Sequence, residues 1–351
     1  MSLDLSGGFL IHDPTNGFGR NTSLPAMGPS RTGPVSGSNH RPPFTIVSKL
    51  TNWDAKASVR VKPRRILMDE ESAGKVFFTP ELVPVANHPM VRRIGPEAVR
   101  QQQVRHLYRY LDFTARLELE AINVVASRIA LGKAGPDLPE VMRADAYKLV
   151  TDEAHHASFS DDMRRQVAEA TGIDAVDSGI PRFLRRLRAI RRDLPPDQRR
   201  LAMSLFAVVS ETLISGILAQ VPKDDRVVTS VREMIADHAE DEGRHSAFFS
   251  QYFAYLWPRL GDKLRSELGP LLPEFIRAFL EPDLRAIRRS LAGLPLGPDE
   301  VEAIVADCYP AEVVSAGSRE AATVTLHLFQ HNGVMDDSRI ADAFRAHRLH
   351  D

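Results

Sequence analysis

The sequence predicts an all-α protein, and two observations carry the prediction. Apolar residues recur at helical spacing over four stretches, about 96–131, 139–171, 195–221 and 224–256, each long enough for a bundle helix. Nowhere does the chain show the period-two alternation of a half-buried strand, and no internal repeat is visible.

Taken in order, residues 1 to about 44 include "GPSRTGPVSGSNHRPP", are dense in Gly, Pro, Ser and Asn, and are expected to be a disordered tail. Residues 45–351 are expected to form a single domain with its bundle core at about 96–256. From 45 to 96, Pro63, Pro80, Pro84 and Pro89 break the chain into short extended or turning pieces that should wrap the body. "KAGPDLP", "TGIDAVDSGIP" and "VPKDD" separate the long helices or flank a shorter one between the second and third. Further short helices are expected from 262 to 349.

Composition narrows the function. A chain of 351 residues, 43% hydrophobic and 26% charged, can bury a large core, and 45 basic against 46 acidic side chains give no reason to expect a nucleic-acid partner. No run approaches the roughly 18–20 uninterrupted apolar residues of a membrane span, and the N-terminus lacks the pattern of a secretory signal. A cytoplasmic protein with no membrane partner is therefore expected. With Cys308 as the one cysteine, there is no internal disulfide and no thiolate cage, so any metal must be held by histidine and carboxylate.

Such residues recur at telling positions. The third long helix, "LAMSLFAVVSETLISGILAQ", is apolar nearly all round yet carries Glu211, whose same-face neighbours Ala207, Val208, Ile214, Ser215 and Leu218 offer no positive charge. A buried carboxylate is protonated, paired across the core, or bound to metal. The second helix holds Glu153 and His156 in "DEAHH", and the fourth repeats the spacing with Glu242 and His245 in "DEGRH". His155 points about 100° away from this face, beside Lys148, Thr151 and Asp152, and reads as a rim residue. In the first helix Glu118 shares a face with Leu111, Thr114, Ala115, Ala121, Ile122 and Val125, whereas Glu120 sits with Arg116, Asn123 and Ser127. One inward Glu from each of two helices, plus Glu-x-x-His from each of the other two, is the inventory of a carboxylate-bridged di-iron or di-manganese site in a ferritin-like four-helix bundle. His238, one turn before Glu242 on the same face, offers a third imidazole to one metal or a hydrogen bond to a ligand.

With these residues in place, the sequence resembles the p-aminobenzoate N-oxygenase family, non-haem di-iron enzymes that oxidise aromatic amines to nitro compounds. The likeness covers roughly residues 83–337. It implies seven metal ligands, Glu118, Glu153, His156, Glu211, His238, Glu242 and His245, and it matches "VPVANHP" at 83–89 and Tyr110, a tyrosine near the substrate. The likeness implies two iron ions with O2 as co-substrate, di-manganese being the lesser alternative, and an external electron donor. Two departures bear on substrate. Ser215 follows Glu211 by one turn, where the member acting on free p-aminobenzoate has polar and Arg side chains around the carboxylate, and Arg319 is only a candidate for the C-terminal arginine, which aligns poorly. An aryl amine tethered to an acidic carrier protein, as in the chloramphenicol-pathway type, is the other form of substrate expected.

"PRFLRRLRAIRRD", residues 181–193, carries six arginines beside Phe183, Leu184, Leu187 and Ile190. It reads either as a solvated amphipathic helix or as a dock for an acidic partner. The expected function is oxidation of an aromatic amine through hydroxylamine and nitroso stages to the nitro group, in natural-product biosynthesis. A di-iron C–H hydroxylase or desaturase and a non-enzymatic iron-handling protein are the alternatives. The oligomeric state stays open between monomer and homodimer.

Overall fold

The computed structural model describes residues 45–68, 74–135, 137–176, 179–218 and 220–350, except the side chains of residues 215–217. The tail expected at 1–44 lies outside the described residues apart from its boundary. Residues 46–351 form one compact unit of helices, with no strand among the described residues beyond an isolated bridge between Val76 and Val227. Among the described residues no helix is long and apolar enough to cross a membrane.

The four expected bundle helices are present. The first runs Pro96–Leu117, widens into a π-helical turn at Glu118–Ile122, and continues as Asn123–Ala130. The second spans Glu140–Thr171 and stops at Gly172, whose left-handed backbone (φ 63°) suits a residue without Cβ. The third is Pro196–Leu218 and the fourth Thr229–Leu256. First packs on second and third on fourth, which brings the four inward faces together.

From Ala202 to Ile214 the third helix is buried on every side, which is why it is apolar nearly all round. Beyond its bundle neighbours it meets the C-terminal helices Leu272–Leu280, Ala311–Ala321 and Thr323–His331, and Thr212 Oγ1 lies 2.8 Å from Thr325 Oγ1 in that contact. The C-terminal extension therefore seals the helix that carries Glu211.

The N-terminal wrap is ordered by buried acids of the bundle. The Lys49 N–H and the Ser48 hydroxyl donate to Asp145, and the Arg65 guanidinium grips Asp237. Pro80, Pro84 and Pro89 do not simply break the chain: each opens a short helical turn, where a missing N–H and a fixed φ cost nothing. The arginine-rich helix, Arg182–Arg192, buries Phe183, Leu184 and Leu187, with Phe183 4.8 Å from Phe113 and 6.0 Å from Phe206 between ring centres.

Candidate metal centre

All seven side chains singled out above converge, and none is more than 1% exposed. Three overlapping groups each bring their donor atoms within 4.8 Å of one another: Glu118, His156, His238 and Glu242; Glu153, His156, Glu242 and His245; and Glu118, Glu153 and Glu211. Glu153, His156, Glu242 and His245 share one space because the second and fourth helices present the same i, i+3 spacing face to face. His156 Nδ1 lies 3.1 Å from Glu153 Oε2 and 3.4 Å from Glu242 Oε1. His245 Nδ1 lies 2.9 Å from Glu153 Oε1 and 3.3 Å from Glu242 Oε1. His238 joins them, its Nε2 being 3.1 Å from Glu242 Oε1 and 3.5 Å from Glu118 Oε1. Glu118 starts the π-helical turn, a local widening often found at functional sites, which no residue pattern announced.

The donor set fits metal. Both oxygens of Glu118 and Glu211 and one oxygen each of Glu153 and Glu242 are buried without a hydrogen-bond partner. Leaving such atoms unpaired costs several kcal/mol in all, by roughly 1–3 kcal/mol for each. Two divalent cations would neutralise the four carboxylates of these groups. Protons otherwise play that part. Burial, then the neighbouring Glu153, Glu242 and Glu211, hold Glu118 well above the usual carboxylate range, and burial with Glu242 and Glu153 does the same for Glu211. Glu242 moves the other way: burial pushes it up, but His245 and His238 outweigh that and hold it well below. His156 is raised to about 9, because hydrogen bonds to Asp241 and Glu153 overcome its burial.

Outside the cluster two aspartates face the backs of the imidazoles. Asp152 Oδ2 is 3.1 Å from His245 Nε2, and Asp241 Oδ2 is 3.0 Å from His156 Nε2. Each aspartate thus serves the histidine of the opposite helix. Asp152, named above only as a neighbour of His155, is fully buried, while His155 lines an outer cavity. The signal was present as "DE" before both histidines. The wrap completes this layer, the Trp53 indole donating to Asp152 and the Ser58 N–H to Asp241.

Phe159 covers the histidine side, its ring centre 5.3 Å from that of His156 and 5.7 Å from that of His238. It also forms part of the wall of the outer cavity, about 290 Å³, between the wrap and the second and fourth helices. On the first helix the Tyr110 hydroxyl is buried; Thr114 stands close without a hydrogen bond of ordinary geometry. Burial raises the Tyr110 phenol, and Glu118 and Glu242 add to the effect, so it stays a protonated donor.

Arg109, the next residue back, was not singled out from the sequence. Its Nη2 is 3.1 Å from His106 Nδ1 and its buried Nη1 has no hydrogen-bond partner. Burial lowers Arg109 to about 10, so it stays charged, while burial and the Arg109 charge lower His106 to about 3, leaving a neutral ring. Arg319 is exposed on Ala311–Ala321, and the Ser215 side chain lies outside the described residues. Four of the six arginines at 181–193 are engaged within the chain: Arg182 with Glu281, Arg185 with Asp283, Arg186 with Glu274 and Arg188 with Glu120. That pairing favours the solvated amphipathic helix over the acidic-partner dock.

Fold and site together define an all-α bundle protein with a buried carboxylate and imidazole cluster able to hold metal. The family model described as P-aminobenzoate N-oxygenase AurF matches residues 55–333, and the chain belongs to that family. It is similar to the 4-aminobenzoate N-oxygenase of Streptomyces thioluteus, 24% identical over 216 residues that cover 59% of this chain and 62% of that protein. The likeness thus spans less than two thirds of the relative's length.

Proposed function

We propose that the protein is a di-iron, O2-dependent N-oxygenase that converts an aromatic amine through hydroxylamine and nitroso stages to a nitro compound. The observation that carries this reading is the set of seven buried Glu and His side chains, six of whose eight carboxylate oxygens have no hydrogen-bond partner among the described residues. Membership of the N-oxygenase family and the activity in the relative's name support the substrate class. Two irons held by Glu118, Glu153, His156, Glu211, His238, Glu242 and His245 would supply O2 activation at the amine nitrogen.

The chain's own groups set the conditions. Asp152 and Asp241 orient His245 and His156 and make them better donors. Phe159 screens the histidines from the outer cavity, keeping the interior poor in water. The Tyr110 O–H, buried near Glu118 and Glu242, is placed to donate to a polar atom of the bound amine. Arg109 offers an unspent N–H to an acidic group on the substrate.

Turnover tests the reading. Reduced, iron-loaded protein mixed with O2 and a panel of aryl amines, free and carrier-tethered, should give hydroxylamine, nitroso and nitro products by mass spectrometry. Ring- or chain-hydroxylated products would favour a C–H hydroxylase, and O2 consumption indifferent to every amine would favour an iron-handling protein.

A further inference from the structure

We propose that Trp53 is the port through which reducing electrons reach the metal centre, along the hydrogen-bonded chain Trp53, Asp152, His245. The proposal rests on the di-iron reading above. Trp53 opens a one-turn helix of the wrap, Trp53–Lys56, and is half-buried, unlike the fully covered Asp152 behind it. The indole Nε1–H donates to both carboxylate oxygens of Asp152, at 2.8 and 2.9 Å. Asp152 is fully buried, and its Oδ2 lies 3.1 Å from His245 Nε2. The other ring nitrogen of His245 faces the cluster, 2.9 Å from Glu153 Oε1. Three side chains, from the wrap, the second helix and the fourth, thus give an unbroken bonded path from the surface to an atom placed to bind metal.

The corresponding path through His156 ends differently. There Asp241 receives the Ser58 backbone N–H and the Arg244 guanidinium, and no aromatic ring. A clamp on an aspartate needs only hydrogen-bond donors, as Ser58 and Arg244 demonstrate. An indole exceeds that need, and it stands on just one of the two aspartates behind the histidines. Its surroundings also suit a docking donor: Lys49, Lys56 and Arg60 stand within seven residues of it in the chain against one acid of that stretch, Asp54, which Arg60 meets at 3.7 Å, and the Arg60 guanidinium lies 5.5 Å from the indole centre. A basic collar of this kind favours an acidic one-electron carrier protein.

The electron count closes with such a carrier as reductant. Each carrier loses one electron and each ferric ion gains one, so two carriers return the iron pair to the ferrous state. The indole ends unchanged, and no bond of the chain is made or broken.

The test uses oxidised, iron-loaded full-length protein and reduced plant-type ferredoxin as an acidic one-electron probe, with loss of ferric absorbance reporting electron arrival per bound iron. Trp53→Phe keeps an aromatic ring and loses the N–H. Trp53→Gln keeps an N–H the same number of bonds from Cβ and loses the ring. Both should slow reduction by about tenfold or more at matched iron content, the scale seen when a group behind a metal ligand is altered. Recovery of the wild-type rate in Trp53→Gln would make Trp53 a clamp and overturn the proposal, as would a wild-type rate in Trp53→Phe. Lys56→Glu touches no member of the path; it should slow ferredoxin and blunt its salt dependence. An unchanged rate there would overturn the docking site. Failure of the wild-type chain to bind iron would instead remove the di-iron reading itself.

Discussion

Asp152, on the second bundle helix, lies 3.1 Å from Nε2 of His245 on the fourth, and Asp241 on the fourth returns the contact to His156 on the second. The two helices are thereby cross-linked behind the proposed metals. Asp152→Asn and Asp241→Asn should each fold and each lower iron affinity by about 10- to 100-fold, since the imidazole loses the anion that orients and enriches it. Competitive metal titration reads this directly; affinities equal to wild type would mean that the contacts only pack the helices.

Proton and metal should compete for the cluster with a definite sign. His156 has its pKa raised from 6.5 to about 9, burial being outweighed by Asp241 and Glu153. In the metal-free protein its charged ring adds stability that is whole below pH 6.5 and is lost as pH rises through about 9. Metal requires the neutral ring, and deprotonated Glu118 and Glu211, so binding should release protons and tighten as pH rises across that window. Anaerobic Fe(II) titration in weak buffer measures both. Affinity independent of pH, with no proton release, would contradict the site.

The helices and the ligand candidates were legible in the sequence because each rests on spacing within one element. Glu118 against Glu120 is the clearest case: the helical wheel separates them, and the structure buries the first while the second pairs with Arg116 and Arg188. What stayed hidden depends on other elements. Asp152 looks solvated on its own helix and is buried only because Trp53 and the fourth helix close over it. The π-helical turn at Glu118 and the burial of Arg109 likewise follow from packing, not from any local pattern.

His238 differs from the other two histidines in that no aspartate stands behind it among the described contacts, and its Nε2 turns toward Glu242 and Glu118. Burial and the His156 charge also lower its pKa, which keeps the ring neutral and ready to donate to metal. His238→Ala should fold and retain iron, more weakly, with amine oxidation slowed by about 10- to 100-fold. Wild-type turnover at full iron content would make His238 a structural residue.

Arg109 should read the acidic end of a substrate. Arg109→Met keeps the buried stem and removes the charge, so KM for 4-aminobenzoate should rise by about tenfold, the worth of one charge-assisted hydrogen bond, while an uncharged aniline is unaffected. Equal changes for both amines would show that Arg109 serves the fold.

The central claim, that seven buried side chains hold a pair of irons, is tested most directly by anomalous diffraction at the iron edge from iron-loaded crystals. Two peaks about 3.5–4 Å apart are expected, the usual separation in two-metal sites, enclosed by Glu118, Glu153, His156, Glu211, His238, Glu242 and His245. A single peak, or iron bound away from these residues, would contradict the account.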